Sequence, residues 1–512
     1  MNRLFKKTVI LSLFYFSCLN AQFHETIPTT HWVYESIEKL QVYGFFRTLD
    51  QGCQPYTRFQ IARVLLSDLE KNQVINKFVE IEIGRIKTEL LPKIKYLQKD
   101  VLNDKAKSSV KVGFTLGNSA KYKENTKNYS FFRLKGALSF YENFTLKYSA
   151  YLDQRFMDNP YFTGYEWRGF QGYQEQMYIS YATDFIDFKF GRDYVKWGYG
   201  KGGRLFISDN SRPFDMLSLK LKSKFISIQT IISQLDKMYN AERYLTAIRF
   251  ELNPTKNIYL GVGQSALYGG EHQSLDFTLS NPLAFYSFTQ DNDSKPLNGM
   301  IYFDASCYLS NKYKIYGEFL IDDFQVDHEV KGDLEPDELA YIIGIEGVNL
   351  FNTFDGWLEF TQVRNRTYNV PNKRPFEKFL HKNMPIAHPL GTDFQSFQFE
   401  ADKWLNSYFK LGLGYYLIRK GEGTIRGEFT EPYLQEDVTM ETGYKEKIPY
   451  GIVETTNKIY ASLHYEYNVH LQSDFSIGFE NIDNLDHLKG SKSDNLFLDL
   501  TLYMAFDWLK LF

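Results

Sequence analysis

The residues best suited to binding chemistry in this 512-residue chain lie between positions 190 and 215, where cationic and aromatic side chains alternate with glycines. The guanidinium groups of Arg192, Arg204 and Arg212 offer paired N–H donors to carboxylates or phosphates. The rings of Trp197 and Tyr199 offer flat apolar faces on which sugars stack. Two interpretations remain open: a site for an acidic glycan, or a wide bend between strands whose arginines pair with nearby carboxylates.

Catalytic and metal-binding patterns are weak by comparison. Neighbouring residues on a strand point to opposite faces, so we expect Asp322 and Asp323 to accept hydrogen bonds at a strand end rather than to share a substrate. His381, His388 and His464 lack helical spacing and cysteine partners, which argues against zinc. The sequence has no Gly-x-Ser-x-Gly nucleophile elbow. We therefore predict that the protein is not an enzyme and needs no metal or cofactor.

The elements that would position these residues are strands, and the last strand shows this most clearly. Every even position from 496 to 508 is apolar, and the odd positions 499 to 507 are mostly polar. Such a strand fits an outer-membrane barrel whose apolar face meets lipid and whose polar face lines the lumen. The terminal Phe512 resembles the insertion signal of bacterial outer-membrane barrels, which implies the barrel assembly machinery and outer-membrane lipid as partners.

The start of the chain is consistent with export. Arg3, Lys6 and Lys7 precede a short apolar run, and Ala21 is a plausible cleavage point. We predict a signal peptide over residues 1–21 and localisation in the outer membrane of a Gram-negative-type bacterium.

Composition supports a large barrel. Aromatic residues make up 17% of the chain, with 38 Tyr and 44 Phe, as lipid faces and interfacial girdles require. The net charge of −3 leaves no basic field for nucleic acid. From residue 109 to 512 the apolar period is two, and at about 22 residues per strand and connection we predict 16–18 antiparallel strands. Surface loops are predicted around 160–176, 265–300, 364–395 and 420–455.

Residues 22–70 differ, because their apolar residues follow a helical period. The segment resembles a single S-layer homology domain, which implies binding of peptidoglycan or a linked polymer, with Trp32, Thr57 and Arg58 as contact residues. Gln60 departs from that family, which has an acidic residue there. The alternative is a helical hairpin that packs on itself or plugs the barrel. The matching residues are His31, Trp32, Tyr34, Ile37, Leu40, Gly44, Thr57, Arg58 and Ala62.

Residues 71–108 are predicted to be helical as well. Apolar residues recur at intervals of three and four, with Glu and Lys between them. We predict a helical stalk or linker, and equally a helix packed against the mouth of the barrel.

The barrel region resembles the capsule assembly protein Wzi family. That family implies an outer-membrane barrel that is not an enzyme and holds exported capsular polysaccharide at the cell surface as a lectin does. With the clustering at 190–215, the resemblance favours an acidic-glycan site at Arg192, Trp197, Tyr199, Arg204 and Arg212. The motifs are Gly191-Arg192, Trp197-Gly198, Gly200, Leu205, Ser208, Asn210, Pro213-Phe214, Asn281-Pro282, Tyr316-Gly317-Glu318, Asp322-Asp323, His388-Pro389-Leu390-Gly391 and Asp393.

The predicted function is thus binding and anchoring of capsular or other surface polysaccharide. The alternative is a diffusion porin tethered by the N-terminal domain, because carbohydrate-selective porins share that plan; it predicts an open lumen and ion conductance. A third class, an outer-membrane lipase-like enzyme, requires a Ser–His pair that the sequence does not reveal.

Overall fold

The computed structural model describes most of the chain from residue 24 onward. The predicted signal peptide, residues 91–107 of the predicted stalk or linker, and Phe512 lie outside the described residues. The described ranges are 24–71, 77–90, 108–140, 143–162, 164–281, 284–293, 295–324, 334–435, 437–439, 441–468 and 470–511.

Eighteen antiparallel strands form one closed barrel, in agreement with the predicted 16–18. Each strand pairs with the next, and the last pairs with the first along Ser109–Tyr122, which closes the sheet and leaves no free edge. The strands are β1 Ser108–Tyr122, β2 Thr126–Phe140, β3 Phe144–Asp153, β4 Phe170–Ala182, β5 Ile186–Asp193, β6 Phe214–Lys222, β7 Ile226–Gln234, β8 Glu242–Leu252, β9 Ile258–Gly270, β10 Asn298–Tyr308, β11 Tyr313–Asp323, β12 Glu338–Leu350, β13 Phe354–Val363, β14 Phe394–Trp404, β15 Phe409–Lys420, β16 Glu454–Asn468, β17 Leu471–Asp483 and β18 Lys492–Leu511.

The outward face of the barrel is an apolar belt. On β18 the apolar residues at even-numbered positions project outward. Exposed apolar side chains on the other strands continue this belt around the barrel. A belt of this kind is stable against lipid but not against water. It includes Leu138, Leu146, Ile179, Phe188, Leu217, Leu260, Phe303, Ile315, Ile345, Leu358, Phe399, Leu411, Phe475, Leu500, Leu502, Met504 and Phe506.

The two ends of the barrel differ. One end of the barrel contains the start of β1 and the end of β18. The described connections at this end are short turns, and we call it the turn end. Long loops gather at the other end, the loop end; they include residues 154–169, 194–213, 271–297, 364–393 and 421–453. In outer-membrane barrels short turns face the periplasm and long loops face outward. No helix among the described residues is long and apolar enough to cross a membrane.

Three N-terminal helices form a small domain with its own apolar core. They are α1 Val33–Val42, α2 Arg58–Lys71 and α3 Lys77–Glu89. Thr57 caps α2 as predicted: its hydroxyl accepts from the Gln60 amide at 3.1 Å, and the Gln60 side chain accepts from the Thr57 amide at 2.9 Å. The buried core includes Ile37, Leu40, Ile61, Leu65, Ile83 and Ile86. A fourth helix, α4 Tyr286–Asp293, belongs to a loop.

This helical domain lies inside the barrel lumen as a plug. The Lys39 ammonium lies 2.9 Å from Asp355 and 2.7 Å from Asp402, at the turn ends of β13 and β14. Arg85 lies 2.8 Å from Glu466 on β16. Further polar contacts join the plug to β1, β4–β6, β8–β10 and β15.

Residues 77–89, which the sequence analysis placed in a stalk or linker or at the barrel mouth, form a helix that packs on the other plug helices. A helix that packs on its neighbours in the lumen has the same apolar period as a coiled coil.

Candidate functional site

The loop 194–213, which carries most of the predicted glycan residues, folds into the lumen. Trp197 pairs with Cys53 of the plug in a two-residue strand, and its indole N–H donates to Gln229 at 3.1 Å. Its side chain is 0% exposed and stacks on Phe206. Trp197 is therefore a core residue that joins the loop to the plug.

Glu318 on β11 holds this loop in place. One carboxylate oxygen accepts from the amides of Tyr199 at 2.6 Å and Gly200 at 2.7 Å, and the other accepts from Leu205 at 2.8 Å. Charge-assisted bonds to backbone amides are strong in a buried site. The motif Tyr316-Gly317-Glu318 is thus explained by a structural contact.

A second buried carboxylate, Glu359 on β13, repeats this arrangement. It accepts from the amides of Lys201 at 2.6 Å and Gly202 at 3.0 Å, and from the Tyr316 hydroxyl at 3.0 Å. The Lys201 ammonium reaches Glu38 of the plug at 2.6 Å and Glu346 at 3.1 Å. Burial opposes the charge of Lys201, but Glu346 and Glu38 outweigh it and raise the pKa of this lysine.

The glycines of this loop permit the close approach of the loop to the wall. Gly198 has a φ of +110°, and a Cβ there would collide with the Glu318 carboxylate and the Tyr302 hydroxyl. The sequence analysis noted this glycine-rich stretch. Its physical role is to let the loop backbone approach Glu318 and Tyr302 closely.

The loop 364–393 packs against the loop 194–213. The Ser208 hydroxyl donates to the Ala387 carbonyl at 2.6 Å, and the Asn210 amide group donates to the Pro385 carbonyl at 2.9 Å. Asp322 accepts from the Tyr368 amide, as expected for a strand-end carboxylate. Asp393 accepts from the amides of Gly423 at 2.8 Å and Tyr450 at 2.9 Å. Asp322 and Asp393 therefore also bind loop backbone.

A cavity of about 600 Å³ remains inside the lumen, between the plug and β12–β16. Its walls carry both signs of charge, including Arg204, Lys410 and Asp402. Arg204 and Tyr199 are 5% and 4% exposed, so neither presents its side chain at the outer surface.

Arg192 and Arg212 lie instead at the loop end of the wall. Arg192 is opposite outward-facing Met177 and pairs with Asp215 at 2.8 and 2.5 Å. The Arg212 guanidinium lies over three rings, 4.6 Å from the centre of Phe156, 4.0 Å from Phe162 and 4.3 Å from Tyr173. The structure thus separates the five predicted residues into an interior group and an outer pair.

The outer surface also carries an aromatic and cationic patch that the sequence analysis missed. Tyr165 is 81% and Trp167 is 54% exposed, and the Arg168 guanidinium lies 5.3 Å from the Trp167 ring centre. Arg426, from the loop 421–453, lies 3.5 Å over Tyr161. We call these five residues the rim patch. The residues 160–176 were predicted to form a surface loop, but nothing in their spacing indicated the partner Arg426.

The residues predicted to contact peptidoglycan have partners within the protein. Arg58 is buried between Glu25 at 3.0 Å and Glu89 at 2.5 Å. Trp32 lies 4.5 Å from the Arg85 guanidinium, and Thr57 caps α2. Their proposed external role remains a prediction.

Metal chemistry gains no support from the histidines. His381 binds Asp236 at 3.0 Å, and His388 accepts from the Leu390 amide at 3.2 Å. Within the described part of the chain, no three His, Cys, Asp or Glu side chains converge as metal ligands would.

A closed 18-stranded barrel with an apolar belt and a polar, plugged lumen is the architecture of an outer-membrane protein. The sequence profile of the family "Capsule assembly protein Wzi" matches residues 102–496. The chain belongs to this family, as the motifs indicated.

Among solved structures, the chain is similar to Wzi of Escherichia coli, described as an outer-membrane, carbohydrate-binding β-barrel involved in group 1 capsule assembly. The TM-score is 0.62 at 12% identity, over 95% of this chain and 99% of that one. The Pseudomonas aeruginosa protein OccD3 gives a TM-score of 0.44 at 11% identity, over 78% and 91% of the two chains. No curated protein matches the sequence.

Proposed function

We propose that this protein binds surface polysaccharide, of the capsular type, and anchors it at the outer face of the outer membrane. The observation that carries the proposal is the rim patch, where two exposed aromatic rings and two cations lie on adjoining loops. Family membership and the carbohydrate binding described for the Escherichia coli protein support it.

The chemistry of the patch suits an acidic glycan. Tyr165 and Trp167 offer apolar faces to sugar rings, while Arg168 and Arg426 offer N–H donors to uronic acid carboxylates. A long polymer can engage many weak contacts at once, so a shallow surface suffices for retention.

The five residues predicted from the sequence take two roles in this proposal. Arg192 and Arg212 form the cationic edge next to the rim patch. Trp197 and Tyr199 act from inside, by holding the loop 194–213 against the plug and Glu318, and buried Arg204 places its positive charge near Glu318.

The first experiment compares polysaccharide on cells and in the medium after deletion of the gene. An anchor predicts movement of polysaccharide into the medium at constant total. Complementation with a Tyr165→Ala/Trp167→Ala variant should reproduce this release. Phe351→Ala is the matched control, because Phe351 is 85% exposed but lies on a turn-end connection. An unchanged distribution in the deletion strain would remove the proposal.

The porin alternative is less well supported, because the plug and two loops occupy the lumen. Conductance of the purified barrel in planar bilayers separates the two functions. We also propose that the protein carries out no catalysis, that the barrel assembly machinery inserts it, and that lipid surrounds its belt. Any contact with peptidoglycan would require Trp32, Thr57 or Arg58 to leave its present partner.

A further inference from the structure

A cavity of about 570 Å³ opens at the loop end of β2–β4, beside the outer pair of arginines. Its lower wall is formed by outward-facing residues of the apolar belt, among them Leu134 and Leu152, which are 41% and 38% exposed. Its upper wall is formed by Phe162, Arg212 and Lys382. The cavity therefore spans the boundary between the lipid-facing wall and the outer loops.

The charge of this cavity is one-sided. Arg192, Arg212 and Lys382 line it, and no carboxylate is among the described residues of its lining. Asp215, just outside the lining, pairs with Arg192. Within the described ranges no carboxylate lies within ion-pair distance of Arg212 or Lys382, and Nη2 of Arg212 is buried without a hydrogen-bond partner. Neither Arg212 nor Lys382 therefore forms an ion pair with a described carboxylate, although both are partly desolvated.

The positive charges of Arg192, Arg212 and Lys382 repel one another, and this affects the pKa of Lys382. Burial first, and then the charges of Arg192 and Arg212, lower the pKa of this lysine, although Asp215 and Asp236 partly oppose them. An anion between the three side chains would remove this cost, whereas a neutral ligand would leave it.

The position of the cations along the wall identifies the source of the anion. Arg192 and Asp215 sit on their strands directly beyond Phe190 and Leu217, two exposed members of the apolar belt. A free polysaccharide meets only the upper wall, but a lipid in the outer leaflet places its acyl chains against Leu134 and Leu152. Its headgroup then lies at the height of the three cations.

We propose that this cavity binds the anionic saccharide headgroup of an outer-leaflet glycolipid. Phosphate or carboxylate groups of the headgroup accept from Arg192, Arg212 and Lys382, and the acyl chains follow the outward faces of β2 and β3. The inference goes beyond the proposed function, because its ligand is a membrane lipid and not the exported polymer. It requires only that the barrel lies in the outer membrane.

The test uses the full-length protein, delipidated in detergent and titrated with diphosphorylated lipid A in phosphatidylcholine nanodiscs. We expect the triple variant Arg192→Gln/Arg212→Gln/Lys382→Gln to bind at least about tenfold more weakly. Arg419→Gln is the matched control: Arg419 also projects outward near the loop end, on β15, but binds Gln395 at 2.7 Å and lies outside the cavity. Its affinity should equal that of the unaltered protein.

Three results would overturn the inference: equal affinity of the triple variant, equal affinity for dephosphorylated lipid A, or full competition by inorganic phosphate or a soluble oligogalacturonate. Arg192→Gln alone provides a variant with little risk to folding, and we expect it to lose part of the affinity. Polysaccharide release from cells expressing the Tyr165→Ala/Trp167→Ala variant reports on the proposed function separately, so the two hypotheses can fail independently.

Discussion

At the scale of single residues, buried carboxylates determine where the loops of this protein lie. Glu318, Glu359, Asp322 and Asp393 each accept from backbone amides of a loop that is distant in sequence. A buried amide without a partner costs about 1–3 kcal/mol. Glu318 satisfies three such groups, Glu359 and Asp393 satisfy two each, and Asp322 satisfies one. Motif residues that resemble catalytic acids therefore stabilise loop positions.

We predict that Glu318→Ala releases the loop 194–213 from the lumen, because three amides lose their acceptor. Trypsin should then cleave after Lys201 or Arg204, which lie inside the lumen in the native protein. Glu242→Ala is the control, since Glu242 pairs with exposed Lys237 at the barrel edge. A variant that resists trypsin as the native protein does would show that Glu318 is dispensable.

His388 makes stability depend on pH. Burial, with Lys420 and Arg204, lowers its pKa to about 3, so the folded protein keeps it neutral while the unfolded chain protonates it near pH 6.5. The contribution of neutral His388 to the free energy of unfolding is complete above pH 6.5. It is lost at about 1.4 kcal/mol per pH unit as the pH falls toward 3.

We therefore expect the unfolding temperature to decrease as the pH is lowered from about 7.5 to about 5. The decrease should be smaller in the His388→Asn variant. Asparagine keeps an acceptor for the Leu390 amide. His272→Asn, at an exposed loop residue, should leave the pH dependence unchanged. An identical pH dependence in the His388 variant would refute the assignment.

At the scale of elements, ion pairs hold the plug to the wall, and Val42 and Cys53 of the plug add apolar contacts with the barrel core. Lys39 on α1 lies among Glu35, Asp355 and Asp402. Burial opposes its charge, but these carboxylates raise its pKa well above the usual value. Loss of one partner of a buried pair costs about 3–5 kcal/mol, and here Asp355 and Asp402 would lose the Lys39 ammonium.

We predict that Lys39→Met loosens the plug, which the thiol of Cys53 can report. Cys53 is buried in the plug, and burial raises its pKa to about 11, so it reacts slowly with maleimide. In a Cys307→Ser background, Lys39→Met should speed the labelling by at least about tenfold. Lys71→Met is the control, because the exposed Lys71 ammonium binds Ser67 and, among the described residues, forms no ion pair. Equal rates in both variants would contradict the prediction.

At the scale of the whole molecule, the lumen is closed twice in series. The plug fills the turn end, and the loops 194–213 and 364–393 fill the loop end. Such a barrel can present a binding surface at its outer end while its lumen is closed to solutes.

We expect low conductance from the native protein, from a variant lacking residues 24–90, and from Glu318→Ala alone. The combined variant should show the largest conductance, because the plug and the loop 194–213 are then both removed from the lumen. Retained heat-modifiable migration on gels controls for barrel folding. A wide pore in the single deletion would show that the loops do not close the lumen.

The sequence by itself determined the barrel, its strand count within two, and its family. These depend on a period of two that repeats along each strand, and that pattern is local. The capping of α2 by Thr57 is local as well, and it was also predicted correctly.

Only the tertiary structure decided what fills the lumen and what faces outward. The contacts of Trp197 with Cys53, Lys39 with Asp355, and Tyr161 with Arg426 join positions far apart in the chain. Amphipathic helices, and a loop rich in glycine, tryptophan and arginine, have the same composition whether they meet solvent, a ligand or the inside of a barrel. Barrel closure brings their partners together, and burial follows from that closure.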